Sequence, residues 1–106
     1  MMVRVLSAGV MALLLAGAAQ AASPEAGKEK SRTCAACHGP DGNSQTPDFP
    51  RLAGQHYDYL VKALHDYKTG ERKNPIMAPQ AANLSDRDMQ DLAAYFSLQQ
   101  GLMVKR

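Results

Sequence analysis

Residues 34–38 read Cys-Ala-Ala-Cys-His, and they hold both cysteines of this 106-residue chain. Two thiols with two residues between them, and an imidazole next in line, serve few chemistries. They form a redox disulfide, part of a zinc site, a local structural disulfide, or an attachment point for a prosthetic group. The rest of the chain has to supply whatever the chosen chemistry needs.

The first 21 residues, MMVRVLSAGVMALLLAGAAQA, read as a separate unit. Arg4 precedes a run of apolar and small residues from Val5 to Ala19, and Ala19-Gln20-Ala21 is a small-x-small cleavage signal. This layout predicts a secretory signal peptide cleaved after about Ala21. The apolar run falls short of the roughly 20 residues a spanning helix needs. No cysteine stands at the cleavage point, so a lipid anchor is not indicated. Residues 22–106 then form one small domain with no stable membrane insertion. A domain of that size buries little surface and needs a staple: disulfides, a metal or a cofactor. The formal net charge is +2, with basic and acidic residues interspersed, which leaves no footprint for nucleic acid.

Three helical segments stand out. Ser23-Pro24-Glu25 opens the first, with Ser23 as N-cap and Pro24 at the first helical position, running to about Ala36. Its apolar stripe is weak and its small residues, Gly27 among them, call for close packing. From Gly39 to Gly54 the chain reads as loop, with GPDGN followed by Pro47 and Pro50. Gln55 to Thr69 reads as a second helix with Tyr57, Leu60, Leu64 and Tyr67 along one face, and Gly70 as its stop. Residues 71–83, with Pro75 and Pro79, read as another loop. Ser85 and Asp88 form a capping-box pair for the last helix, whose apolar face is Met89, Leu92, Ala93 and Phe96 and whose stop is Gly101. No strand pattern is visible. Long loops are uncommon in so small a domain unless they wrap something.

A thioredoxin-like pair follows a strand at a helix N-terminus, whereas a helix precedes Cys34. Zinc needs further ligands, and only His56 and His65 remain, neither at zinc-finger spacing. A Cys34–Cys37 disulfide closes a tiny loop and stabilises little. C-x-x-C-H is also the attachment sequence of c-type haem, and that reading uses all three residues. The thiols of Cys34 and Cys37 add across the two haem vinyl groups, and His38 becomes the proximal iron ligand. The loops then have something to wrap, and the haem stands in for the missing core.

The chain resembles the class I c-type cytochromes. It is similar to the small single-haem bacterial periplasmic type and to one half of the bacterial di-haem cytochromes c. The resemblance rests on Gly27, CAACHGPDGNS (34–44), FPRLAGQ (49–55), YLVKAL (59–64), GERKNPIM (70–77) and LSDRDMQDLAAYFS (84–97). It implies an all-α, small cytochrome c fold: three to four helices and long loops around one covalently bound haem c per chain. It implies a periplasmic electron-transfer protein rather than an enzyme, cycling Fe(II)/Fe(III) and meeting redox proteins transiently at the haem edge, with no small-molecule substrate. Two alternatives share these features: a haem subunit of a larger periplasmic oxidoreductase, and a haem enzyme or gas sensor with an open sixth position.

The sixth ligand separates the carrier from the open-site alternative; the subunit alternative shares every sequence feature with the carrier. Met1, Met2 and Met11 leave with the leader, Met89 lies on the apolar helix face, and Met103 lies in the tail. Met77 sits between Pro75 and Pro79, which stiffen its segment, and seven residues before Leu84, where the resemblance places the axial methionine. The resemblance further implies that His38 donates its second ring N–H to the carbonyl of Pro50, in the stretch Pro50-Arg51-Leu52. It also implies that Gly27 lets the first and last helices cross closely. Tyr57, Tyr59, Leu60 and Leu64 are candidates for the haem wall, and Arg51 and Arg72 for contacts with the haem propionates.

Overall fold

The structure, a computed structural model, describes residues 21–101. The segment predicted as a leader lies outside these residues, apart from Ala21, as does Met103. Five helices and no strand are found among them: α1 Pro24–Lys30, α2 Arg32–His38, α3 Tyr57–Thr69, α4 Met77–Ala82 and α5 Asp86–Ser97. None is long and apolar enough to cross a membrane.

The helix expected from Pro24 to Ala36 is two helices. Ser23 Oγ caps α1, accepting from Ala26 N–H at 3.1 Å. At Ser31 the hydroxyl donates back to the Lys28 carbonyl at 2.7 Å. A serine bonding to its own helix in this way competes with the backbone ladder and bends the axis. Beyond this bend, α2 carries Cys34, Cys37 and His38 to its C-terminus, where Gly39 takes a φ of 87°.

Helix α5 is the centre of the molecule. Its capping box is complete: Asp88 N–H donates to Ser85 Oγ at 3.0 Å, and Ser85 N–H donates to Asp88 Oδ2 at 2.9 Å. It ends at Ser97, before the expected Gly101. Every residue from Asp91 to Phe96 is buried, so α5 is covered on more than one face. Helix α1 crosses it at Gly27, where a Cβ would lie 1.9 Å from the Asp91 carbonyl oxygen and 2.8 Å from Tyr95 Cβ. No side chain fits there.

The crossing is held by Asp91, which is 2% exposed. Its carboxylate accepts from Ser23 N–H at 2.8 Å, Lys30 Nζ at 2.7 Å and Arg87 Nε at 3.0 Å. Burial alone would raise the Asp91 pKa. The bonds from Lys30 and Ser23 and the charges of Lys30 and Arg87 outweigh burial and hold it below the usual carboxylate value.

The loop 39–56 is tied to the same helix. Tyr95 Oη donates to the Pro40 carbonyl at 2.9 Å, and Gly54 N–H donates to the Phe96 carbonyl at 2.9 Å. Helix α3 begins at Tyr57 rather than Gln55, and ends in Gly70 at φ 87°. It packs on α5 and on α4. Helix α4 falls within the segment 71–83 expected to be loop, because Pro75 and Pro79 interrupt the helical pattern. Pro79 falls in its first turn, where backbone N–H groups have no helical acceptor, so the ring removes no bond. The buried cluster is small: Leu60, Leu92, Ala93, Tyr95 and Phe96, with Cys34, Leu52 and Leu64 partly buried against it.

Candidate functional site

One open cleft of about 800 Å³, its mouth included, lies between α2, the loop after it, α3, the Met77 segment and α5. Four of its lining side chains, Leu60, Leu92, Ala93 and Phe96, also belong to the buried cluster. The core of the fold is therefore one wall of the cleft.

His38 is 6% exposed and lines this cleft. Its Nδ1 lies 2.8 Å from the Pro50 carbonyl oxygen. A carbonyl only accepts, so Nδ1 carries the hydrogen, and in the neutral ring Nε2 keeps a lone pair. The Phe49 ring stands edge-on to the imidazole at 6.3 Å. Residues 49 and 50, on the loop, thus fix both the tautomer and the tilt of His38.

Cys34 lines the cleft one turn before His38, and Cys37 is half-buried on the same helix, outside the lining. Both thiols are free. Burial pushes the Cys34 thiol up, partly offset by a hydrogen bond from Thr33. Redox-active CxxC pairs lower their attacking thiol instead. No group of three His, Cys, Asp or Glu side chains suited to a metal is found among the described residues.

Helix α3 divides its residues between two sides. Tyr59, Leu60, Ala63, Leu64 and Tyr67 line the cleft, and Tyr59, Ala63 and Tyr67 follow the four-residue spacing of one helix face. Tyr57, Val61 and His65 repeat that spacing two residues off, and line a separate shallow groove with Met89. Tyr57 is therefore off the cleft, although its place in the apolar stripe suggested a wall position. Leu52 and Pro50 line the cleft from the loop. His56 and His65 are exposed.

Met77 lines the cleft as the first residue of α4. Its position depends on Asn74, a residue the sequence did not single out. Asn74 Oδ1 accepts from Ile76 N–H and Met77 N–H, both at 2.9 Å, and the Asn74 carbonyl accepts from Ala78 N–H at 2.9 Å. An Asn two or three residues before a short helix is the available signal, since its side chain closes such turns. Tyr67 and Gln55 also line the cleft without having been assigned to it.

These residues fit a haem. The walls are mainly apolar, the Cys34 thiol and the His38 imidazole, its Nδ1 engaged by the Pro50 carbonyl, sit on one side, and a thioether is on the lining. Cys34 and Cys37 would hold the macrocycle covalently, and His38 and Met77 would be the candidate iron donors.

Residues 24–98 match the cytochrome c family model. The chain is 50% identical over 91 residues to cytochrome c4 of Pseudomonas aeruginosa, covering 85% of this chain and 45% of that protein. It is 45% identical over 78 residues to cytochrome c-554(548) of Halomonas halodenitrificans, covering 71% of this chain and 94% of that one. Reduced recombinant cytochrome c4 from Pseudomonas stutzeri superposes with a TM-score of 0.73 at 47% identity, over 77% of this chain and 48% of that one. The chain thus matches one half of cytochrome c4 and spans about half the length of those relatives, whereas it covers nearly all of cytochrome c-554(548). With its helical fold, its mainly apolar cleft and this match along the described residues, the chain belongs to the cytochrome c family, with covalently bound haem c as its cofactor.

Proposed function

We propose that the protein is a mono-haem electron carrier with His38 and Met77 as the axial pair, attached through Cys34 and Cys37. The observation that carries this reading is the convergence of Cys34, Met77 and a Pro50-anchored His38 on one apolar cleft. When bound, the haem would supply a one-electron Fe(II)/Fe(III) couple, and a thioether donor from Met77 would raise its potential. The chain's part is to hold the donors still. The Pro50 carbonyl keeps the His38 lone pair on Nε2, and Asn74 with the flanking prolines limits the motion of Met77. The buried side chains of α5 exclude water from the wall behind. No step makes or breaks a substrate bond, so the chain by itself is a carrier and not an enzyme. Residues 1–21 act as the export leader, 22–106 form the domain, and the working compartment is the periplasm. Partner redox proteins dock transiently at the haem edge through a small interface.

The test is a haem-stained denaturing gel together with spectra of the purified, exported protein. Stain that survives denaturation, and a sulfur-to-iron charge-transfer band in the ferric state, are expected. Ready binding of carbon monoxide by the reduced protein without that band would favour an open sixth position instead.

A further inference from the structure

The Pro50 carbonyl fixes the His38 tautomer, yet Pro50 is exposed and lies in a loop with neither helix nor strand to hold it. A segment with few buried contacts of its own opens easily unless its ends are tied. The neck of this loop is tied in two ways.

First, the loop closes on itself. The Gly42 carbonyl accepts from Leu52 N–H at 2.8 Å and from Ala53 N–H at 3.2 Å. Residues 43–51, Pro50 among them, are thereby looped out from one point. Gly42 has a φ of 87°, and a Cβ there would lie 2.8 Å from both Ala53 N and Phe96 Cδ1, so only glycine serves. Second, the closed neck is fastened to α5 and to the chain beyond it. Asn43 Nδ2 donates to the Gln100 carbonyl at 3.0 Å, a bond that spans 57 positions of sequence. The Asn43 backbone is itself set by Asp41, whose Oδ1 accepts from Asn43 N–H at 3.0 Å. Gly101 lies against Ala53 so closely that a Cβ there would be 2.2 Å from the Ala53 carbonyl oxygen. The bond from Gly54 to Phe96 is main chain, and Tyr95 is part of the buried core. The Asn43 amide is thus the tie that a substitution removes without disturbing either.

We propose that Asn43 is a positioning residue: by latching the loop neck to the Gln100 carbonyl it holds the Pro50 carbonyl on His38, and so keeps the reduction potential down. This rests on the haem-carrier reading above. The sign follows from the donor. An imidazole whose Nδ1–H is held by a carbonyl is a more basic ligand through Nε2, and a more basic ligand favours ferric iron. Slackening the neck lengthens the Nδ1 bond, weakens the donor and raises the potential. Losing a thioether donor lowers the potential instead. Slackening on the His38 side and loosening on the Met77 side are therefore told apart by sign.

The experiment is potentiometric titration of holoprotein carrying Asn43→Ala, Asn43→Asp or Ser85→Ala, each checked by haem stain. Hydrogen–deuterium exchange of the His38 Nδ1 proton is followed by NMR in the reduced state of the same proteins. Asn43→Ala is expected to raise the ferrous-to-ferric ratio at a fixed poise about threefold, tenfold being about 59 mV for one electron. Its Nδ1 proton should exchange about tenfold faster, as local opening of the loop allows. Asn43→Asp keeps the shape, loses the donor and should shift both readouts the same way. Ser85→Ala removes the cap at the opposite end of α5, and should lower stability with neither readout moved. An unmoved potential or an unmoved exchange rate in Asn43→Ala, even with lowered stability, overturns the proposal. So does a fall in its potential, or an equal rise in Ser85→Ala. Should Asn43→Ala fail to mature, Asn43→Asp decides: no shift there defeats the latch. Stained protein with unmoved readouts removes only the role of Asn43, whereas wild-type protein without stain removes the carrier reading itself.

Discussion

At the scale of single residues, the cleft is built from side chains whose freedom has been taken away by neighbours in the loops. The imidazole of His38 has two nitrogens, and the Pro50 carbonyl, 2.8 Å from Nδ1, decides which one keeps a lone pair. Met77 is a flexible thioether, and Asn74 fixes the backbone that carries it. A weak donor of this kind stays on iron only while its segment stays ordered, because its ordering entropy opposes the bond. Met77→Ala is therefore expected to lower the reduction potential by more than about 59 mV, a tenfold change in the one-electron equilibrium. The same variant should let reduced protein bind carbon monoxide. Redox titration and carbon monoxide difference spectra check both, and an unchanged potential would exclude Met77 as the ligand. The cysteines, the histidine and the position of Met77 between prolines were all legible in the sequence. Asn74 was not, since an Asx turn is recognised only once the acceptor oxygen and the two N–H groups are seen together.

At the scale of elements, the crossing of α1 and α5 decides whether α2 is correctly presented. Gly27 permits the close approach, and Asp91 locks it with bonds from Ser23, Lys30 and Arg87. The two cations are about a third exposed, so solvent screens part of their attraction. Asp91→Asn is expected to cost about 2 kcal/mol at neutral pH, mainly from bonds made to a charged acceptor. Urea unfolding of the holoprotein measures it. Asp88 joins the network: its bonds from the Ser85 backbone and from Lys30 also hold its pKa down. Because both carboxylates are lowered in the folded state, unfolding binds protons as the pH falls. Their contribution is fully present above the ordinary carboxylate value of 3.8 and is lost as pH drops through the folded values. Wild-type stability should therefore fall steeply on acidification below about pH 4, and Asp91→Asn should show a shallower fall. Equal acid slopes in the two proteins would count against this network. The capping box of α5 and the Gly70 stop of α3 were readable from residue type alone. The bend at Ser31 and the existence of α4 were not, because each turns on which backbone groups happen to need a partner.

At the scale of the whole molecule, the buried cluster and the cleft wall are largely the same residues. Leu60, Leu92, Ala93 and Phe96 serve both. With the cleft filled by an apolar ring, they are covered on both sides. Without it, an already small core faces water, and burial at about 25 cal/mol per Å² is forfeited where the chain has least to spare. Export of the double variant Cys34→Ser, Cys37→Ser is accordingly expected to yield a chain with no covalent haem and little helix, as far-UV circular dichroism would show. Native helicity in that chain would contradict a haem-dependent core. The sequence by itself determined the all-helical class, the family and the attachment motif, because these depend on residue identity and on spacing along the chain. The tertiary structure alone decided which face of α3 meets the cleft, sending Tyr59 and Tyr67 inward and Tyr57 to the other side. It also decided that Asn43 meets the Gln100 carbonyl. Both outcomes depend on how α3 is rotated against α5 and on where the chain beyond α5 returns. Rotation and return path are set by long-range packing, to which no local pattern of residues corresponds.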